Sequence, residues 1–177
     1  MEVRRAKIED AAPIQAIFSH YVLHSVATYY YDPPPIDLFT SKIERSLTNK
    51  RFPFVPAEND KIVEHVYGTE YRVLAGYHCT VEDNIFIQPE YQKMGLGKQL
   101  LGVLIDERKR LEYPVMTAIF GAGRDVLRGT FKLDEGYGFR EVGRLIGVGE
   151  KFGHFLDTPI LQQDLTSMNS ERTIETN

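Results

Sequence analysis

The sequence predicts one α/β domain with a mixed sheet, not a regular series of strand–helix–strand units. Three features point there. Residues 95–110 carry Leu96, Leu100, Leu101 and Leu104 at helical spacing, soon after the extended stretch "NIFIQP". "YPVMTAIF" is a short, nearly continuous apolar run, as a buried strand shows. "REVGRLIGVGEKFGHFLDTPILQQDL" alternates and is cut by glycines, which suggests two closing strands.

The remaining elements follow in order. Residues 3–8 alternate weakly and read as a first strand, with Asp10 opening a helix. Ile14, Ile17, Phe18, Tyr21 and Val22 recur at helical spacing, and Pro13 is tolerable inside a first turn. The three prolines of "DPPPID" end that helix, and a second is expected over residues 37–47. "FPFVPAENDKIVEHVYG" reads as a hairpin turning at "ENDK", with Pro56 pushing its first strand toward an edge or bulge. "YHCTVEDNIFIQPEYQ" is the next extended segment, stopped by Pro89. After it, the helix over residues 95–110 ends in Lys109 and Arg110, where the helix dipole favours cations. "GAGRDVLRGTFKLDEGYGF" supplies a loop and a helix ending near Gly136. The expectation is about seven strands and four helices in a domain spanning residues 1–163, followed by a polar, disordered tail over 164–177.

Bulk properties narrow the function. A length of 177 residues suits one domain with a substantial core, and 42% hydrophobic with 26% charged residues is ordinary globular composition. A net charge of −4 argues against a nucleic-acid partner. The single cysteine, Cys79, excludes an intramolecular disulfide and fits a reducing compartment. No apolar run reaches the ~18 residues of a membrane span, and "MEVRRAKIEDAAPIQ" carries no targeting pattern, so a cytoplasmic protein is expected.

"FIQPEYQKMGLGKQLL" is the stretch most suggestive of a ligand, because paired glycines before a helix invite a phosphate. A nucleoside-triphosphate loop needs a glycine five residues before Gly97-Lys98 and a Ser or Thr after the lysine; Gln92 and Gln99 stand there. A dinucleotide loop needs a third glycine where Leu100 stands. What remains is Gln92-x-x-Gly95-x-Gly97 between a strand and a helix. It either holds a pyrophosphate on main-chain amides, with Lys93 and Lys98 at the rim, or is a tight turn without a ligand.

That pattern resembles the acetyl-CoA motif of the GNAT acetyltransferase superfamily. "HYVLHSVATYYYDPP", "GYHCTVEDNIFIQPEYQKMGLGKQLL" and "GFREVGRLIGVGEKFGHFLD" resemble the phosphinothricin and methionine sulfoximine N-acetyltransferase subfamily more closely. The resemblance covers nearly the whole chain. It implies a GNAT fold, α+β in character, with a central mixed sheet of about seven strands that splays open, flanked by about four helices. It also implies acetyl-CoA as co-substrate, a small amine or amino-acid acceptor, no metal, and a homodimer. By the same resemblance Ile85, Phe86 and Ile87 offer backbone groups to the pantetheine arm. The loop Gln92, Lys93, Met94, Gly95, Leu96, Gly97 and Lys98 holds the pyrophosphate, and Thr28, Tyr29 and Arg72 face the acceptor. Relatives carry an asparagine in the loop where this chain has "GAGRDVLRG", so Arg124 or Asp125 stands in and Arg124 is expected near a phosphate. Only Arg72 remains of the subfamily's paired arginines, which suggests a shifted acceptor preference.

Acetylating an ammonium group requires removing a proton first. Glu82, in Thr80-Val81-Glu82, matches the subfamily's glutamate and is the expected base; Asp83 is a weaker rival on the opposite strand face. A main-chain N–H of residues 85–87 is expected to stabilise the developing oxyanion. The group that protonates the leaving thiolate is not identified: neither the tyrosine nor the histidine of relatives stands in "TFKLDEGYGF" at the expected place, and Tyr137 lies too near Gly138-Phe139 to be assigned. Scattered histidines and one cysteine make a zinc site improbable, and adjacent His78 and Cys79 point to opposite faces. The rival functions are a CoA-binding sensor that has lost turnover and a protein or peptide acetyltransferase.

Overall fold

The computed structural model describes residues 3–49, 62–121 and 124–166, with backbone alone at 49 and 124–128. Four helices and five strands are described: α1 (Ala11–His24), α2 (Ile36–Asn49), β1 (Glu64–Glu70), β2 (Thr80–Ile87), α3 (Leu96–Arg110), β3 (Val115–Ile119), α4 (Arg124–Glu135), β4 (Arg140–Lys151) and β5 (His154–Asp164). They form one sheet in the order β1-β2-β3-β5-β4. β2 and β3 run parallel and every other neighbouring pair is antiparallel, so the sheet is mixed.

The strand count is five among the described residues, against about seven expected. The first strand is not formed: Val3 makes an isolated bridge and Ile8–Asp10 is a single 3-10 turn. The guanidinium of Arg4 grips the Asp10 carboxylate at 2.7 and 3.0 Å, and the Lys7 amide donates to the same carboxylate at 2.7 Å. These contacts turn the chain into α1 before a ladder can develop. The expected first strand of the "ENDK" hairpin, with Pro56, lies outside the described residues, and its second strand is β1. The last strand extends past the expected boundary at Gln163. β5 reaches Asp164, and Leu165 is buried with its amide donating to Pro114 O at 2.9 Å. Residues 167–177 lie outside the described residues.

Strand alternation sorts the core into two layers. Val66 and Val81 face one side, where they meet Leu100, Leu101, Leu104 and Ile105 of α3, with Phe131 and Leu133 of α4 packed against them. Tyr67 and Phe86 face the other side, against Ile14, Ile17 and Phe18 of α1 and Phe39 and Ile43 of α2. Burying each such aliphatic side chain contributes about 1.5–3 kcal/mol.

The pairing registers show where the sheet opens. β2 pairs with β3 only from Thr80↔Val115 to Asp83↔Ala118. β2 continues to Ile87, but there it pairs with β1 alone, through Tyr67↔Asn84 to Glu64↔Ile87. One side of residues 84–87 therefore faces a fork instead of a neighbouring strand. The splay expected from the resemblance sits at Asp83.

Candidate active site

Glu82 lies one residue before the fork, opposite Thr69 of β1 and Thr117 of β3. Glu82, Asn84 and Phe86 share the face of β2 that looks toward α1 and α2, and all three line a cavity of about 500 Å³. Its other walls are Phe18 of α1, Lys42 of α2, Tyr67 and Thr69 of β1, residues 27–30 after α1, and residues 119–121 at the end of β3. Burial pushes the Glu82 carboxyl up to about 7. A carboxylate so desolvated is a stronger base than an exposed one.

Asp83 points the other way, as strand alternation requires. It is 7% exposed and lies near Asp134 of α4, which is 1% exposed. Asp83 Oδ1 and both Asp134 carboxylate oxygens have no hydrogen-bond partner among the described residues. Burial, then the charges of Asp134 and Glu82, raise Asp83 well above the usual carboxylate range, and burial raises Asp134 to about 7. Asp83 does not line the cavity and is no rival to Glu82 there.

The strand residues expected at the cofactor divide by role. Phe86 packs its ring 4.9 Å from Phe18 and 5.2 Å from Tyr21, inside the core. The Tyr21 hydroxyl donates to Ile87 O at 2.5 Å and accepts from the Ile87 amide at 3.2 Å. Both polar groups of Ile87 are thus held by a side chain. Because N–H and C=O of alternate residues turn to the same side of an antiparallel strand, Ile85 directs its amide and carbonyl toward the fork.

The glycine loop also divides. Gln92 turns its side-chain amide to the Tyr21 hydroxyl at 3.1 Å and its backbone N–H to Pro89 O at 3.2 Å, so its backbone N–H and one side-chain N–H are engaged. Lys93 has φ 63 and Gly95 φ 86, two left-handed residues that swing the chain into α3. Met94 is exposed. The helix begins at Leu96, so the amides of Leu96, Gly97 and Lys98 fall in the first turn, where no intrahelical acceptor exists. Such a turn, reached through a glycine with no side chain, fits a pyrophosphate. Gly97 has a packing reason beyond that: a Cβ there would stand 2.9 Å from Ile87 Cδ1 and 3.3 Å from Leu133 Cδ2. Lys98 O accepts from the Tyr137 hydroxyl at 2.5 Å, which ties that tyrosine to the start of α3. Arg124 opens α4, but its side chain and that of Asp125 lie outside the described residues.

Thr28 and Tyr29 line the cavity with Glu82. The β4–β5 hairpin pins their loop: Lys151 Nζ donates to Thr28 O at 2.7 Å, and the Tyr29 hydroxyl bonds Thr158 Oγ1 at 2.6 Å. Tyr29 lies so close to Gly149 that a Cβ there would meet the ring. Arg72 is not brought to the cavity. It stands exposed on the loop after β1, over the rings of Tyr71 and Tyr77 at 5.3 and 5.7 Å.

The acetyltransferase (GNAT) family model matches residues 19–123. The chain belongs to the GNAT family. As a member it is an N-acetyltransferase, an acyltransferase that uses acetyl-CoA as co-substrate. A phosphinothricin N-acetyltransferase of Alcaligenes faecalis is 31% identical over 93% of this chain and 83% of its own length. An L-methionine sulfoximine/L-methionine sulfone acetyltransferase of Salmonella typhimurium is 30% identical, over 93% and 95%. An acetyltransferase structure from Salmonella typhimurium with acetyl-CoA superposes with a TM-score of 0.88 at 28% identity, covering 98% of each chain. The fold around this acetyltransferase's fork is therefore the family's own.

Two residues at the candidate site escaped sequence reasoning. Tyr21 organises Ile87 and Gln92 at once, yet at helical spacing it reads only as core. Lys42 had a signal: with Phe39, Ile43 and Ser46 it falls on the 3.6-residue stripe of α2 that faces inward, where a cation is out of place. Among the described residues no cluster of three His, Cys, Asp or Glu could hold a metal ion.

Proposed function

We propose that this acetyltransferase transfers acetyl directly from acetyl-CoA to the amino group of a small amino-acid-like acceptor, with Glu82 as general base. The observation that carries the reading is Glu82 itself: a desolvated carboxylate, raised to about 7, at the edge of the sheet's fork and in a cavity of small-molecule size. The relatives named for phosphinothricin and methionine sulfoximine support the acceptor class.

Glu82 takes one proton from the acceptor's ammonium group. The freed nitrogen lone pair attacks the thioester carbonyl carbon, and the carbon–sulfur bond then breaks with its electrons leaving on sulfur. The Ile85 amide, turned toward the fork, is the donor for the developing oxyanion. Ile85 also offers the backbone edge along which the pantetheine arm lies, while Phe86 and Ile87 shape that edge without donating to it. The amides of Leu96, Gly97 and Lys98 hold the pyrophosphate, with Lys93 and Lys98 adding positive charge and Gly95 opening the approach. Thr28 and Tyr29 form the acceptor wall. As the carbon–sulfur bond breaks, the nitrogen, made cationic by the attack, gives up its second proton, which passes through solvent water to the departing thiolate; the Tyr137 hydroxyl is already bonded to Lys98 O.

The test is thiol release from acetyl-CoA with a panel of amino acids and analogues, comparing wild type with Glu82→Gln. The expected outcome is turnover in wild type and a loss of about 10²-fold or more in the variant, with acetyl-CoA affinity unchanged. Tight acetyl-CoA binding without turnover on any amine would instead support a sensor role.

A further inference from the structure

We propose that Lys42 is the seat for the carboxylate of the acceptor, so that the cavity takes zwitterionic amino acids end to end. The assignment rests on the acceptor reading above and deepens it. Among the described residues lining the cavity, Lys42 is the one cation and Glu82 the one carboxylate. The two come from different layers of the fold, α2 and β2.

The ammonium of Lys42 is held by aromatic faces. Nζ stands 5.1 Å from the Tyr67 ring centroid and 5.8 Å from that of Phe39. Lys42 makes no ion pair among the described residues, and burial lowers its pKa with no carboxylate offsetting the shift. Cation–π contact replaces only part of the hydration such a group loses. A partly buried ammonium that lacks an anion is costly in the free protein, and an incoming carboxylate supplies what it lacks.

Tyr67 connects the two ends. Its ring lies under Lys42, while burial first, and then the charges of Tyr30 and Glu82, raise its hydroxyl pKa. Tyr67 thus has the cation on its face and feels the carboxylate from Glu82. A zwitterion matches this polarity in one orientation: ammonium toward Glu82, carboxylate toward Lys42. The reverse orientation sets like charges together and leaves no base for the amine. The same polarity penalises simple amines, which would leave Lys42 without its anion.

The experiment compares L-methionine sulfone with its carboxamide, which keeps the amine and removes the negative charge. Lys42→Met retains an unbranched side chain and removes the cation. In this variant, KM for L-methionine sulfone should rise about tenfold or more while kcat changes by less than about threefold, as the loss of a charged hydrogen bond predicts. KM for the carboxamide should stay within about twofold, and Lys42→Arg should restore much of the preference for the free acid. Equal loss on both acceptors, or no loss on either, would overturn the assignment. Wild-type enzyme that releases no thiol with either compound would overturn the acceptor reading, and the Lys42 assignment with it.

Discussion

Glu82 and Asp83 are neighbours in sequence with the same chemistry, and the pleat alone separates their fates. One enters a cavity; the other is buried beside a second carboxylate. For Glu82 the consequence is a pH profile. Its folded pKa is raised to about 7 by burial, and a general base must be deprotonated. kcat/KM should therefore climb about tenfold per pH unit below 7 and flatten above it, before the acceptor's own amine begins to titrate. A pH–rate series on the wild type checks this, and Glu82→Gln should lose that limb. Glu82 was legible from the sequence because its segment resembles a known one. Lys42 was not used, although its place on an apolar stripe marked it. The sequence could not place Arg72 relative to the cavity, because a loop arginine's reach depends on stacking partners such as Tyr71 and Tyr77.

At the scale of elements, the junctions of α3 and α4 with β2 carry two predictions. The first concerns Gly97, whose missing side chain lets α3 sit against Ile87 and Leu133. Gly97→Ala should lower stability by about 1–3 kcal/mol in denaturant unfolding, since the added methyl overpacks that contact. Gly97→Val would act the same way, so a weaker affinity for acetyl-CoA in either variant reports the displaced helix as well as the phosphate site. The second concerns Asp134. Its folded pKa is raised to about 7 from an ordinary 3.8, so the folded state binds more protons than the unfolded state between those values. Stability is fully present below about 4 and declines as pH rises toward 7. Asp134→Asn removes this charge and the repulsion with Asp83. It should raise stability at pH 8 by about 1 kcal/mol or more, seen as a higher melting temperature, and change little at pH 4. Thermal melts at the two pH values would decide it. α3 was readable within one residue because its leucines recur strictly. The weakly alternating residues 3–8 failed as a strand because Arg4 and Lys7 are drawn to Asp10.

At the scale of the molecule, the β4–β5 hairpin is the conspicuous surface. Val142, Leu145, Ile146, Val148, Phe152 and Phe155 are all exposed, Phe155 at 80%. The hairpin turns tightly through Phe152 and Gly153, with φ 53 and 75, which keeps the two long strands paired and presents this apolar patch. We propose that it closes a homodimer, the state the family resemblance implies, because a patch of this kind is uncommon on a monomer. Ile146→Asp with Phe155→Asp should convert a dimer to a monomer in sedimentation velocity. Monomeric wild type at micromolar concentration would overturn the proposal. The same hairpin fastens Thr28 and Tyr29 to the acceptor wall, so loss of the interface is expected to raise the acceptor KM.

By itself the sequence determined the fold class and the helices α1 to α4, and it singled out the turn around Gly95 and Gly97 and Glu82 as candidates for the site. These rest on local periodicity, turn chemistry and recognisable contiguous segments. Only the tertiary structure decided which backbone groups remain free, because that depends on partners distant in sequence. Tyr21 occupies Ile87 and Gln92 across 66 and 71 residues. It likewise decided that Lys42 and Glu82, 40 positions apart by their numbering, share one cavity. Each lies on an element whose inward face is set by its own period, and packing alone brings those faces together.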